Sequence, residues 1–306
     1  MSILRLNVEG QATATTDEHE VNREYSASLG LPELLSVSPE HGRPLAICGG
    51  GPSLRGAVNV LRNWPGDIWA INGVCAYLAS LGIKSTFVTV DADSYHDDLV
   101  ELDWMLGPVK KALVSSFCNK ALLDRLKGAE VMLFHPGLNN AVDLPAVGGT
   151  TTASRIPIPA IMLGYRLICY VGCECSFTAG APSHAYKHDA KPRNQLVIRA
   201  DGKDWVTTLQ LMLQAKELSF VISEYPRYFS EKSGGLLRAM LKDPKNWKVV
   251  AANAEMHAEL SKQGAIRDTM TPFDVAQAVG AHVPKDAGRA TVEEIVRAVT
   301  PSSWRA

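Results

Sequence analysis

From Leu45 to Phe134 the chain alternates short apolar runs with segments of helical length, and this alternation constrains the fold more than any other feature. Strands are expected over 45–48, 68–71, 85–90, 111–114 and 130–134, with helices near 53–62, 73–81, 96–105 and 119–126 between them. Such alternation implies a mostly parallel sheet with helices on both faces, an α/β fold of the Rossmann-like, doubly wound kind. Ligands of these sheets sit beyond the carboxyl ends of the strands, where the strand order reverses. The residues that follow strands are therefore the ones to inspect.

The first such stretch is Leu45-Ala-Ile-Cys-Gly-Gly-Gly-Pro-Ser-Leu54. Gly49, Gly50 and Gly51 let the backbone turn tightly and approach a ligand where a Cβ would collide. Pro52 suits a first helical position, and Ser53 brings a hydroxyl to the unpaired N–H groups of the helix end. A helix start of this kind attracts anions, so a phosphate is the expected guest, although a strand-to-helix turn with nothing bound has the same pattern. The stretch is neither a Walker loop nor the spaced glycine pattern of dinucleotide folds.

Asn72 and Gly73 end the second strand; Asn72 suits either contact with a base or ribose, or the cap of the following helix. Asp91 and Asp93 follow the third strand, with His96 and Asp97 beyond, and suit either Mg²⁺ held beside nucleotide phosphates or a helix cap. Val147 to Ser154 is a small-residue loop, in which Gly149 clears space while Thr150, Thr151 and Thr152 supply hydroxyls and N–H groups for a phosphate or ribose. A short helix is expected to begin near Pro157 and to end at Gly164.

A strand over 167–171 leads into Gly172-Cys-Glu-Cys-Ser-Phe177 and a loop that carries Ser183, His184, Tyr186, Lys187 and His188. Histidine titrates near neutral pH and can accept the proton of an attacking hydroxyl, which makes His184 and His188 the candidate catalytic bases. Cys173, Cys175, His184 and His188 also compose a C-x-C and H-x₃-H set that zinc would accept. Further on, strands over 195–198 and 220–222 are expected to flank a helix from Trp205 to Leu218 capped by Asp201 or Asp204, with a last strand over 248–250 and a helix over 251–263.

Composition narrows the class. The 306 residues carry 31 basic and 32 acidic side chains, a formal charge of -1, so nucleic acid is not indicated as a partner. No run has transmembrane length and no secretory signal opens the chain, so a cytoplasmic protein without a membrane partner is expected. Six cysteines in a chain this long read as reduced, buried thiols. Residues 1–40 form a polar, irregular segment with an edge strand over 1–8, residues 41–265 the α/β domain, and residues 266–306 a helical tail. Two short amphipathic helices bury little surface alone, so this C-terminal appendage is expected to dock on the main domain or to join a homo-oligomer.

Taken together, residues from about 45 to 190 resemble the MptE-like superfamily, which includes archaeal 6-hydroxymethylpterin pyrophosphokinases and the Maf flagellin-modification proteins, with the small Cst-type bacterial sialyltransferases as relatives. The carrying residues are Cys48-Gly-Gly-Gly-Pro-Ser-Leu54, Ile71-Asn-Gly73 with Leu81-Gly-Ile83 and Asp91, Gly148-Gly-Thr-Thr-Thr152 with Leu163-Gly-Tyr165, and Val171-Gly-Cys-Glu174 with Ser183-His184. The resemblance implies a cytidine or adenine nucleotide held by the Gly-Pro-Ser turn, Asn72 and the threonine loop. It also implies a downstream histidine base, a part that either His184 or His188 fills. Where the pterin kinases carry a second Asp-rich loop, this chain has Gly149-Thr-Thr-Thr-Ala-Ser154. That departure favours glycosyl transfer from an activated nucleotide sugar of the CMP-sugar type to a hydroxyl acceptor. The alternatives are diphosphate transfer from Mg²⁺-ATP through Asp91 and Asp93, and a non-catalytic nucleotide-binding or assembly protein.

Overall fold

The computed structural model describes residues 16–92, 99–135, 151–177, 184–186, 195–244 and 246–252. In chain order the elements are α1 (Thr16–Ser28), β1 (Leu45–Cys48), α2 (Leu54–Arg62), β2 (Asp67–Ile71), α3 (Val74–Ser80), β3 (Thr86–Thr89), α4 (Leu99–Leu106), β4 (Lys111–Ser115), α5 (Lys120–Arg125) and β5 (Glu130–Phe134). They continue with α6 (Thr152–Arg155), α7 (Pro157–Met162), β6 (Ile168–Val171), β7 (Gln195–Ala200), β8 (Lys203–Thr208), α8 (Leu209–Glu224), β9 (Phe229–Glu231), α9 (Gly235–Lys242) and β10 (Lys248–Ala252).

Seven strands form one parallel sheet in the order β5-β4-β3-β2-β1-β6-β9. The chain steps outward from β1 to β5 and then returns to lay β6 along the other side of β1. The order therefore reverses between β1 and β6, whose registers pair Leu45 with Ile168 and Cys48 with Val171. The period-two alternation of strand side chains divides the core. Leu45 and Ile47 face a cluster with Trp69, Val88, Leu113 and residues of α7, α8 and α9. Ala46 and Cys48 face the opposite cluster with Phe87, Val114 and residues of α2, α3, α4 and α5. The expected doubly wound α/β architecture is thus present, with helices α2 to α5 on one face and α6 to α9 on the other.

A second sheet, β10-β7-β8, is antiparallel and corrects the sequence reading. The expected helix from Trp205 begins four residues later, at Leu209, and runs through the stretch 220–222 expected as a strand. Asp201 and Gly202 both have positive φ, 50° and 69°, the signature of a two-residue hairpin turn, so Lys203–Thr208 pairs back on β7 as a strand. Neither Asp201 nor Asp204 caps α8; the Thr208 side chain accepts the Leu211 N–H and does so instead.

The N-terminal segment also departs from expectation, because Thr16–Ser28 is helical. Polar contacts dock this helix: the Asn22 side-chain amide donates to the carbonyls of Ala92 and Phe117 at 3.2 and 3.0 Å, and Ser26 Oγ donates to Ser116 O. Tyr25 and Asp124 add a further hydrogen bond. Since the buried Asn22 amide makes both bonds to half-buried carbonyls, Asn22→Ala is expected to cost about 1 to 2 kcal/mol, read as a lower urea midpoint with an unchanged slope. The last strand runs on to Ala252, so residues 251 and 252, expected to open a helix over 251–263, are strand; the rest of that helix, the edge strand over 1–8 and the tail over 266–306 fall outside the described residues.

Candidate functional site

The carboxyl ends of β1 and β6 meet at the reversal point. Their two turns are joined backbone to backbone: Gly49 N–H donates to Val171 O at 2.8 Å, and Gly51 N–H to Gly172 O at 2.9 Å. A Cβ on Gly49 would stand 2.6 Å from Gly172 O and 2.7 Å from Cys173 Sγ, so glycine is required there by the protein's own second turn. The next contact is electrostatic. Glu174, 8% exposed, accepts the Ser53 N–H at 2.6 Å on one carboxylate oxygen and the Ser53 Oγ–H at 2.9 Å on the other. The start of α2 attracts an anion, and here the anion is a carboxylate of the same chain. The Ser53 hydroxyl accordingly caps no helical N–H, contrary to the sequence expectation, and a Cβ on Gly51 would lie 2.2 Å from Glu174 Oε2.

Asn72 and Asp91 are brought together. Asn72 has φ of 50°, a left-handed conformation that asparagine tolerates, and its Nδ2 donates to Asp91 Oδ2 at 2.7 Å across the ends of β2 and β3. Asn72 Oδ1 is buried and has no hydrogen-bond partner among the described residues. Its side chain therefore works between strands and does not cap α3.

Both described threonines of the hydroxyl loop have partners inside the protein. Thr151 Oγ1 accepts the Ser154 N–H and closes a capping box at the start of α6. Thr152, 5% exposed, receives the Val90 N–H on its Oγ1 at 3.4 Å, tying α6 to the end of β3. Asp93, Gly149, Thr150 and His188 lie outside the described residues, as do His96, Asp97, Ser183 and Lys187.

His184 reaches the same sheet edge. Its Cδ2 lies 2.9 Å from the position a Cβ on Gly50 would take, and Ala185 N–H donates to Gly50 O at 2.8 Å. Arg55, the second residue of α2, donates its Nε–H to Ala185 O at 2.7 Å. The Tyr186 ring lies 5.4 Å from His184, 5.5 Å from Trp104 and 5.9 Å from Tyr77. Gly49, Gly50, Gly51, Ser53 and His184 thus converge with Glu174 at the reversal point, and Asn72 and Asp91 stand one and two strands away.

The two cysteines of the C-x-C pair face inward. Burial, and then the neighbouring Glu174 charge, push the Cys173 thiol well above its ordinary range, and burial does the same to Cys175. Cys173 Sγ donates to Val171 O and Cys175 Sγ to Cys173 O, while Gln214 Nε2 donates to Cys175 Sγ. Among the described residues no group of three or more His, Cys, Asp or Glu is arranged to hold a metal ion, and His188 of the C-x-C and H-x₃-H set lies outside them. No helix among the described residues is long and apolar enough to cross a membrane.

Trp104 and Arg55 are marked by no spacing or motif, while Glu174 and Tyr186 stand within the quoted motif and loop without being assigned to the site. Glu174 carried a signal, an acidic side chain directly after a strand that ends in glycine, but its partner lies 121 positions earlier. Trp104 reads as a core residue of α4 until the fold turns its ring, 44% exposed, toward Tyr186.

The chain matches no protein-family model and no curated protein. In fold it is similar to the solved structure of a Maf glycosyltransferase from Magnetospirillum magneticum AMB-1, with a TM-score of 0.52 at 16% sequence identity. The similarity covers 72% of this chain and 36% of that one, so this chain spans little more than a third of that protein's length. At this identity the likeness speaks for the shared fold.

Proposed function

We propose that the protein is a glycosyltransferase-like enzyme that moves a sugar from a nucleotide-sugar donor of the CMP-sugar type to a hydroxyl acceptor. The observation that carries this reading is the seating of His184 against Gly50 at the point where the strand order of the sheet reverses. The similarity in fold to a protein described as a glycosyltransferase supports the reaction class.

In the step we envisage, an imidazole nitrogen of His184 accepts the proton of the acceptor hydroxyl. The acceptor oxygen bonds to the anomeric carbon, and the bond from that carbon to the donor phosphate oxygen breaks. The electron pair leaves with the nucleotide, whose phosphate gains negative charge, so donors fixed at that oxygen lower the barrier. The N–H groups of Gly49, Gly51 and Ser53 already have protein acceptors. The Gly50 N–H has none among the described residues and is the donor of this turn that a phosphate can use. Asn72 Oδ1, buried and without a partner among the described residues, is an acceptor for an amino or hydroxyl group of the nucleoside.

Titration with CMP, UDP and ATP, each with and without Mg²⁺, tests the donor class. CMP is expected to bind without metal, and at 100 times its Kd to raise stability by about 2.7 kcal/mol. Binding of ATP alone, and only with Mg²⁺, would instead support diphosphate transfer through Asp91 and Asp93. Failure of every nucleotide would leave a non-catalytic module.

A further inference from the structure

We infer that Tyr186 is a positioning residue for His184, held by an aromatic clasp between α3 and α4; the inference rests on the reading of His184 as the base. Two sets of contacts fix the segment 184–186. Ala185, 2% exposed, is bonded through both its backbone groups, its N–H to Gly50 O and its carbonyl from Arg55 Nε. The Tyr186 ring packs beside Tyr77 of α3 and Trp104 of α4 on one side and beside His184 on the other, at centroid distances of 5.4 to 5.9 Å.

The hydroxyl end of the Tyr186 ring lies over the ends of two strands at once. It lies 3.2 Å from where a Cβ on Gly50 would stand and 3.0 Å from where one on Gly73 would stand. The same hypothetical Cβ on Gly73 would meet Trp104 at 3.0 Å. Two glycines that look, in the sequence, like clearance for a ligand are therefore clearance for Tyr186. Their spacing across β1 and β2 sets where the ring can lie, and the ring sets which way the backbone presents His184 to Gly50. Offset and tilted ring pairs of this geometry are attractive and directional, so removing the ring releases the imidazole without removing it.

Tyr186→Ala and Trp104→Ala test this, with Tyr186→Phe as the conservative control. Two readouts are needed: turnover with donor affinity, and the rate at which diethyl pyrocarbonate modifies His184, followed by peptide mass spectrometry. Loss of the clasp is expected to lower kcat by about 10²-fold, the cost of misplacing a reacting group by an ångström, with donor Kd within about threefold. His184 modification should rise several-fold in the same variants, and Tyr186→Phe, which keeps the ring contacts, should fall well short of the Tyr186→Ala defect in both. Unchanged His184 modification in Tyr186→Ala would overturn the inference, as would a Tyr186→Phe defect equal to that of Tyr186→Ala. If Tyr186→Ala does not fold, Trp104→Ala decides on the same terms, since that ring lies partly at the surface. A wild-type protein without sugar transfer, in which modification still responds to the clasp, would sink the transferase reading and leave the positioning of His184 standing.

Discussion

Glu174→Ala is expected to lower stability by about 3 kcal/mol, because it strips a buried N–H and a hydroxyl of the charged acceptor they share. Gly51→Ala attacks the same contact from the other side. Its Cβ would lie 2.2 Å from Glu174 Oε2, and the carboxylate cannot swing away while Ser53 holds both its oxygens, so overpacking should cost about 2 to 3 kcal/mol. The pair makes a sharper test than either change alone. In the double variant the methyl group enters the space the carboxylate vacated, so the two costs should fall short of their sum by about 1 to 2 kcal/mol. Urea unfolding of the four proteins measures this, and strict additivity would show that Glu174 does not set the shape of the turn.

The largest effect on catalysis is expected at His184. His184→Ala should lower turnover by about 10²- to 10⁴-fold, the range that general base catalysis contributes, while donor affinity stays within about threefold. The split follows from the geometry. The imidazole lies beside the Gly50 turn, with a ring carbon 2.9 Å from where a Cβ on Gly50 would stand, and the turn's own shape is held by Gly172 and Glu174, which the substitution does not disturb. Loss of donor binding with intact kcat would mean that His184 holds the nucleotide and does no proton chemistry.

The parallel sheet was legible because its signal is local. Each of β1 to β6 is a short apolar run bounded by turn residues, and burial on both faces is what such runs describe. Where local signals were polar the reading failed. Helix α1 is docked by Asn22 and Ser26, with Val21 64% exposed, so its apolar periodicity is too weak to announce a helix. The hairpin at Asp201 and Gly202 has a local signature, a turn dipeptide between alternating residues, that competes with the reading of an aspartate as a helix cap.

At the site, the residue types were readable and their partners were not. Gly49 to Gly51 announce that something approaches the backbone closely, but a sequence cannot distinguish a phosphate from Gly172, His184 and Glu174, which lie over a hundred positions away. Asn72 and Asp91 were each marked by standing after a strand, yet the hydrogen bond between them depends on β2 and β3 being neighbours. The aromatic clasp has no linear signature at all, since Tyr77, Trp104 and Tyr186 are joined only by the stacking of α3 and α4 against the sheet edge.

The most direct measurement is sugar release from CMP-linked and UDP-linked donors, in the presence of hydroxyl acceptors, by the wild-type protein and His184→Ala with donor affinity determined on the same samples. The account predicts that the wild-type protein turns over a CMP-linked donor and that His184→Ala binds this donor as tightly but transfers at least about 10²-fold more slowly. Equal turnover by the two proteins, or no turnover of any nucleotide sugar by the wild type, would contradict it.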